Sequence, residues 1–200
     1  MPLPCNDTLP AGEQCVTQEE AEEVFRLGMW EYSHIYRDAP ESLGASEAGM
    51  GVWLAEVAQL MRDVVGGEGG EGGLRYMHNV AHDGSIARVL SALQVESMVW
   101  PGLGSEIVFE LYKKRENGEQ DGQEARRERA VNAPASGSEG GREVSMTGFY
   151  LRVLWGGKVF KSSDPSLGVM DMVPLERFLA YVDGLVGVRA SKVEEFCGLE

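Results

Sequence analysis

The 200-residue chain predicts an α/β fold. Three observations carry that prediction. Two stretches in the first third place apolar residues at helical spacing. A strand–helix–strand succession follows a glycine-rich break, and a hairpin followed by a last helix stands near the end.

The elements follow in order. Thr17-Gln18-Glu19-Glu20 has the form of a capping box, because a Thr side chain and a Glu three residues later can satisfy each other's first-turn amides. Ala21, Val24, Phe25, Gly28, Tyr32, Ile35 and Tyr36 then form a helical stripe that Asp38-Ala39-Pro40 ends. Met50, Trp53, Leu54, Val57, Leu60, Met61 and Val64 mark a second, stronger helix, and the two are expected to lie as an antiparallel pair. Residues 66–73 are six Gly and two Glu and are expected to be a linker. They lack the Lys-Ser/Thr ending of a phosphate-cradling loop and follow a helix instead of a strand.

After the linker, Leu74, Tyr76, His78 and Val80 alternate with Arg75, Met77, Asn79 and Ala81, the period of a strand. His82-Asp83-Gly84-Ser85 breaks it, and Ile86, Val89, Leu90 and Leu93 mark a short helix. Pro101-Gly102-Leu103-Gly104 then turns the chain into a strand from Ile107 to Tyr112. Residues 113–147 contain no aromatic side chain and are expected to be a disordered insert. Phe149–Trp155, Gly156-Gly157 and Lys158–Phe160 predict a hairpin. Pro174 is expected near the first turn of a last helix, whose buried side is Leu175, Phe178, Leu179 and Val182. The organisation expected is thus a cysteine loop and helical region at 1–65, a linker at 66–73, and an α/β part at 74–200.

Composition excludes several functions. Hydrophobic residues at 43% and charged residues at 25% are ordinary globular usage. Eighteen Lys and Arg against 32 Asp and Glu leave a net charge of −14, unsuited to nucleic acid or an anionic membrane surface. No stretch reaches the roughly 18 apolar residues of a membrane span. The start, Met1-Pro2-Leu3-Pro4-Cys5, has no signal-peptide pattern, which as written predicts a cytoplasmic chain. Cys5 and Cys15, bracketing nine residues, and the sequon Asn6-Asp7-Thr8 instead suit a secreted protein. A missing N-terminal portion would reconcile the two.

Three histidines are available for chemistry. His34, inside the first helix, reads as a partly buried surface residue, and His78, on the apolar face of the strand, as a hydrogen-bonded core residue. His82 leaves a strand as a helix begins, so the amides of Gly84, Ser85 and Ile86 are expected to face it as free donors. With the imidazole they would form an anion site in which Asp83 could hold or donate a proton. Simple helix capping by Asp83 is the alternative, and the residues alone leave both open. Neither histidines nor cysteines have the paired spacing of a zinc site, and no Gly-x-Ser-x-Gly elbow occurs.

The run His78-Asn79-Val80-Ala81-His82-Asp83-Gly84-Ser85, continued by Val99-Trp100-Pro101-Gly102-Leu103-Gly104-Ser105-Glu106-Ile107-Val108-Phe109-Glu110-Leu111-Tyr112, resembles the C-terminal half of fungal-type histidine acid phosphatases, the phytase-like branch of the histidine phosphatase superfamily. Pro2–Cys5, Cys15–Thr17, Val153–Gly157 and Pro165–Gly168 look similar as well. The resemblance implies part of a three-layer α/β/α domain preceded by helices of a helical subdomain. It implies hydrolysis of phosphate monoesters without metal or cofactor, with His82 as phosphate clamp and Asp83 as proton donor. It also implies a Cys5–Cys15 disulfide, glycosylation at Asn6, secretion, and a partner for Cys197 outside this chain. The family's nucleophile, a histidine in an Arg-His-Gly motif, has no counterpart here. His78 lies four extended residues, at most about 13 Å, from His82 and is not expected to share its phosphorus. A truncated or inactive phosphatase is therefore expected, with a non-catalytic remnant that binds inorganic phosphate or a partner protein as the alternative.

Overall fold

A computed structural model describes residues 16–67, 74–115 and 145–193. Cys5, Asn6, Cys15 and Cys197, and most of the expected insert at 113–147, lie outside the described residues.

Helix α1 spans Gln18–Ser33 and opens with the capping box read from the sequence: the Thr17 side chain accepts the Glu20 amide, and Glu20 accepts the Thr17 amide. It runs into a π-helical turn, His34–Asp38, closed by the Ala39 amide on the His34 carbonyl at 2.9 Å. Arg37 fixes this turn by donating to the Val95 carbonyl at 2.9 Å and to Ser163 Oγ at 2.6 Å.

Helix α2, Ser42–Gly66, starts well before the apolar stripe at Met50. Its first turns are rich in small residues, Gly44, Ala45, Ser46, Ala48 and Gly49, that allow close approach but give no hydrophobic period. At Gly49, for example, a β-carbon would come within 2.9 Å of the Arg88 side chain. The expected antiparallel pairing with α1 is not how α2 is buried. No residue of α1 is buried, whereas α2 packs on helix α3, Asp83–Ala92, and on the last helix α4, Leu175–Val186. Arg62 of α2 and Asp183 of α4 form an ion pair at 2.7 Å.

Strand β1, Ile107–Lys113, pairs antiparallel with β2, Phe149–Trp155, in the register Phe109–Val153. The predicted hairpin is present. Gly156 and Gly157, at φ +54° and +73°, turn β2 into β3, Lys158–Val159, the left-handed pair that a tight hairpin needs. Strand β4, Val173–Pro174, lies along β2 as well. One sheet face carries Phe109, Leu151 and Val153 into the core, with Phe109 between Trp53 of α2 and Phe178 of α4 at 6.3 and 6.0 Å. The other face carries Arg152, held by Asp171 at 2.7 Å and lying over the Tyr112 ring.

The mixed helix-and-sheet class is thus present, with all described ladders antiparallel. One expected element is corrected. Residues 74–80 are not a strand: they pair with nothing among the described residues, and Tyr76 and Val80 are 78% and 89% exposed. Alternation marks a strand only where a sheet edge accepts it, and none among the described residues does.

Candidate functional site at the start of α3

His82 occupies the cap position of α3 in an extended conformation, and Asp83 is the first helical residue. The buried residues Ala87, Val89, Leu90, Ser91 and Ala92 seat the rest of α3 in the core, which leaves its first turn at the surface. Both His82 and Asp83 are exposed.

The sequence suggested free first-turn amides, and the structure instead pairs those of Gly84, Ser85 and Ile86. The Ser85 and Ile86 amides donate to the His82 carbonyl at 3.0 and 3.1 Å, and the Gly84 amide donates to Asp83 Oδ1 at 2.7 Å. The reason is local. A carboxylate at the first helical position reaches the adjacent amide, and the cap carbonyl begins the helical ladder at once. The capping reading of Asp83 is therefore realised in part, from inside the helix.

The other carboxylate oxygen, Asp83 Oδ2, accepts Tyr32 O–H at 2.7 Å and Trp100 Nε1–H at 3.0 Å. The hydrogen bonds from Tyr32, Trp100 and the Gly84 amide hold the Asp83 carboxyl below the usual carboxylate range. Tyr32 is pushed up to about 12, first by burial and then by the Asp83 carboxylate that it serves. Arg88, one turn along α3, places its guanidinium 5.8 Å from the centre of the Tyr36 ring. As arranged, Asp83 is an ionised acceptor whose oxygens are already occupied. The His82 ring makes no hydrogen bond among the described residues.

The remaining histidines lie elsewhere. His34 is exposed and stacks on Trp30 at 5.3 Å. His78 is exposed too, 6.2 Å from the Tyr76 ring, so the expected core histidine is a surface one; without a strand there is no inner face for it to occupy. Neither hydrogen-bonds to His82 or Asp83. No group of three His, Cys, Asp or Glu side chains that could hold a metal occurs among the described residues, and no described helix is long and apolar enough to cross a membrane.

Tyr32, Trp100 and Arg88 are the site residues that sequence reasoning did not single out. Tyr32 was read as one position of an apolar stripe, and 51 residues separate it from Asp83. Trp100 lies in the run that carries the family resemblance, but nothing local marks its indole as a donor to Asp83. A scan against protein-family models, a search of curated proteins and a search of solved structures each return no match.

Proposed function

We propose that this chain is related to the histidine acid phosphatases and retains His82 and Asp83, the phosphate-clamp and acid positions, without the nucleophile. In this reading the α3 start faces a phosphate monoester, and β1 and β2 belong to the sheet of a partial three-layer α/β/α domain. Secretion, a Cys5–Cys15 disulfide and a glycan at Asn6 belong to the same proposal. What supports it is the ordered likeness of 78–85 and 99–112 to that family, together with the surface position of His82 and Asp83.

By itself the chain turns over little or no ester. The observation that carries this conclusion is the three-donor environment of Asp83, which holds the carboxyl ionised where the family's reaction needs a proton to give to the leaving alcohol. The absence of an Arg-His-Gly motif points the same way, since covalent phosphoryl transfer needs an attacking group. The test is hydrolysis of p-nitrophenyl phosphate at mildly acid pH by the purified chain. The expected rate is that of buffer; robust turnover that Asp83→Asn abolishes would overturn the silent-site reading.

The His82 ring, exposed and without a hydrogen bond among the described residues, favours a second reading, phosphate binding without chemistry. Trp100 touches the site and serves as an optical probe. Titration with inorganic phosphate should change tryptophan fluorescence in the native chain and not in His82→Ala. No response up to millimolar phosphate counts against retained binding.

A further inference from the structure

None of the 16 residues of helix α1 is fully buried, so α1 is not seated in the main core. Beyond its covalent continuation into the 34–38 turn, its attachments among the described residues converge on Trp100 and Asp83. The Trp100 ring stacks on Tyr32 at 5.6 Å and is tilted against Phe25 at 6.0 Å, while its backbone N–H points to Met29 Sδ at 3.3 Å. Gly28 makes room for the indole, since a β-carbon there would come within 2.8 Å of Trp100 Cε3. Asp83 closes the arrangement, with Oδ2 taking both the Tyr32 hydroxyl and the indole N–H.

We propose that Tyr32 and Trp100 are positioning residues for Asp83, and that this one carboxylate fastens α1 over the start of α3. The state of Asp83 and the docking of α1 are then coupled. The inference rests on the His82–Asp83 reading above for its place in the molecule. A proton or a bound hydroxyl that takes Oδ2 must displace Tyr32 and Trp100, and by linkage release of α1 frees Oδ2. The charged and titratable groups around the pair are Glu31 of α1, Tyr36 of the π-helical turn, and His82 and Arg88 flanking and within α3. Glu31 and Tyr36 act on Tyr32, and His82 acts directly on Asp83.

The experiment is an acid titration of the full chain by NMR, following the Asp83 side-chain carboxyl and the Trp100 indole N–H. In the native chain both are expected to change with one midpoint, below the ordinary aspartate range. In Tyr32→Phe and Trp100→Phe that midpoint should rise toward the ordinary range. In Asp83→Ala, amide exchange along α1 should quicken by about tenfold or more, as local opening no longer breaks these bonds. Gly28→Ala keeps every hydrogen-bonding group and should quicken exchange in the same way by displacing the indole. An Asp83 midpoint unmoved in both Tyr32→Phe and Trp100→Phe would overturn the proposal, as would unchanged α1 exchange in Asp83→Ala. Tyr32→Phe keeps the ring stack and therefore serves if Trp100→Phe does not fold. No phosphate or ester enters these measurements. A chain that neither hydrolyses nor binds phosphate therefore sinks the functional proposal without deciding this one.

Discussion

At the residue scale, Asp83 Oδ2 and the Tyr32 hydroxyl form a pair whose two titrations run in opposite directions. The Asp83 carboxyl is held below its ordinary value of 3.8 in the folded chain, so its stabilising contribution is present above that value. It is lost as the pH falls toward the lower native one. Acid unfolding of Asp83→Asn should therefore be less steep below the ordinary aspartate range than that of the native chain; identical acid profiles would contradict this. Tyr32 is raised from 10.0 to about 12, so its contribution is complete below pH 10.0 and is lost as the pH rises toward about 12. Tyrosinate absorbance should show a late-titrating tyrosine that disappears in Tyr32→Phe. His82 and Asp83 were legible in the sequence as a helix-entry pair, although the strand expected before them is not formed among the described residues. The partners of Oδ2 were not legible, because Tyr32 comes from α1 and Trp100 from beyond α3, and side-chain spacing along the chain says nothing of such meetings.

At the element scale, α1 and α2 show two ways of sustaining a helix. With no buried residue, α1 depends on its capping box and on its fastening at Trp100 and Asp83. Thr17→Ala should cost about 1 kcal/mol of local α1 stability. The check is amide exchange, which should quicken in the first turns of α1 with the global unfolding midpoint unchanged. In α2 the helix is held by close packing. A β-carbon at Gly51 would come within 2.8 Å of Val193 Cγ2 and 2.9 Å of Val186 Cγ1. Gly51→Ala should overpack this contact at a cost of about 1–3 kcal/mol, more than the roughly 1 kcal/mol of helix propensity that alanine returns. A urea midpoint equal to or above the native one would show that the contact gives way freely. The apolar stripe from Met50 onward was readable, whereas the small-residue start of α2 was not, because residues such as Gly49 act through closeness and carry no hydrophobic period.

At the scale of the whole molecule, one core joins α2, α3, the inner sheet face and α4, and several large apolar side chains remain outside it. Val24, Leu27 and Trp30 on α1 are each more than 60% exposed, and Tyr76, Val80 and Leu103 are exposed as well. A net charge of −14 opposes association of copies that such surface would favour. The chain is expected to sediment as a monomer at low ionic strength and to self-associate as salt screens the repulsion. Monomeric behaviour at both ionic strengths would contradict this. The sequence by itself determined the helices with strong apolar period, the capping box, the β2–β3 hairpin and the buried side of α4, because each depends on local spacing and turn chemistry. Only the tertiary structure decided that residues 74–80 pair with none of the described strands, that His78 lies at the surface, and that Asp83 is occupied by Tyr32 and Trp100. Those outcomes depend on which edges and donors distant segments bring together, and the free energy of such contacts belongs to the packed chain, not to any stretch of it.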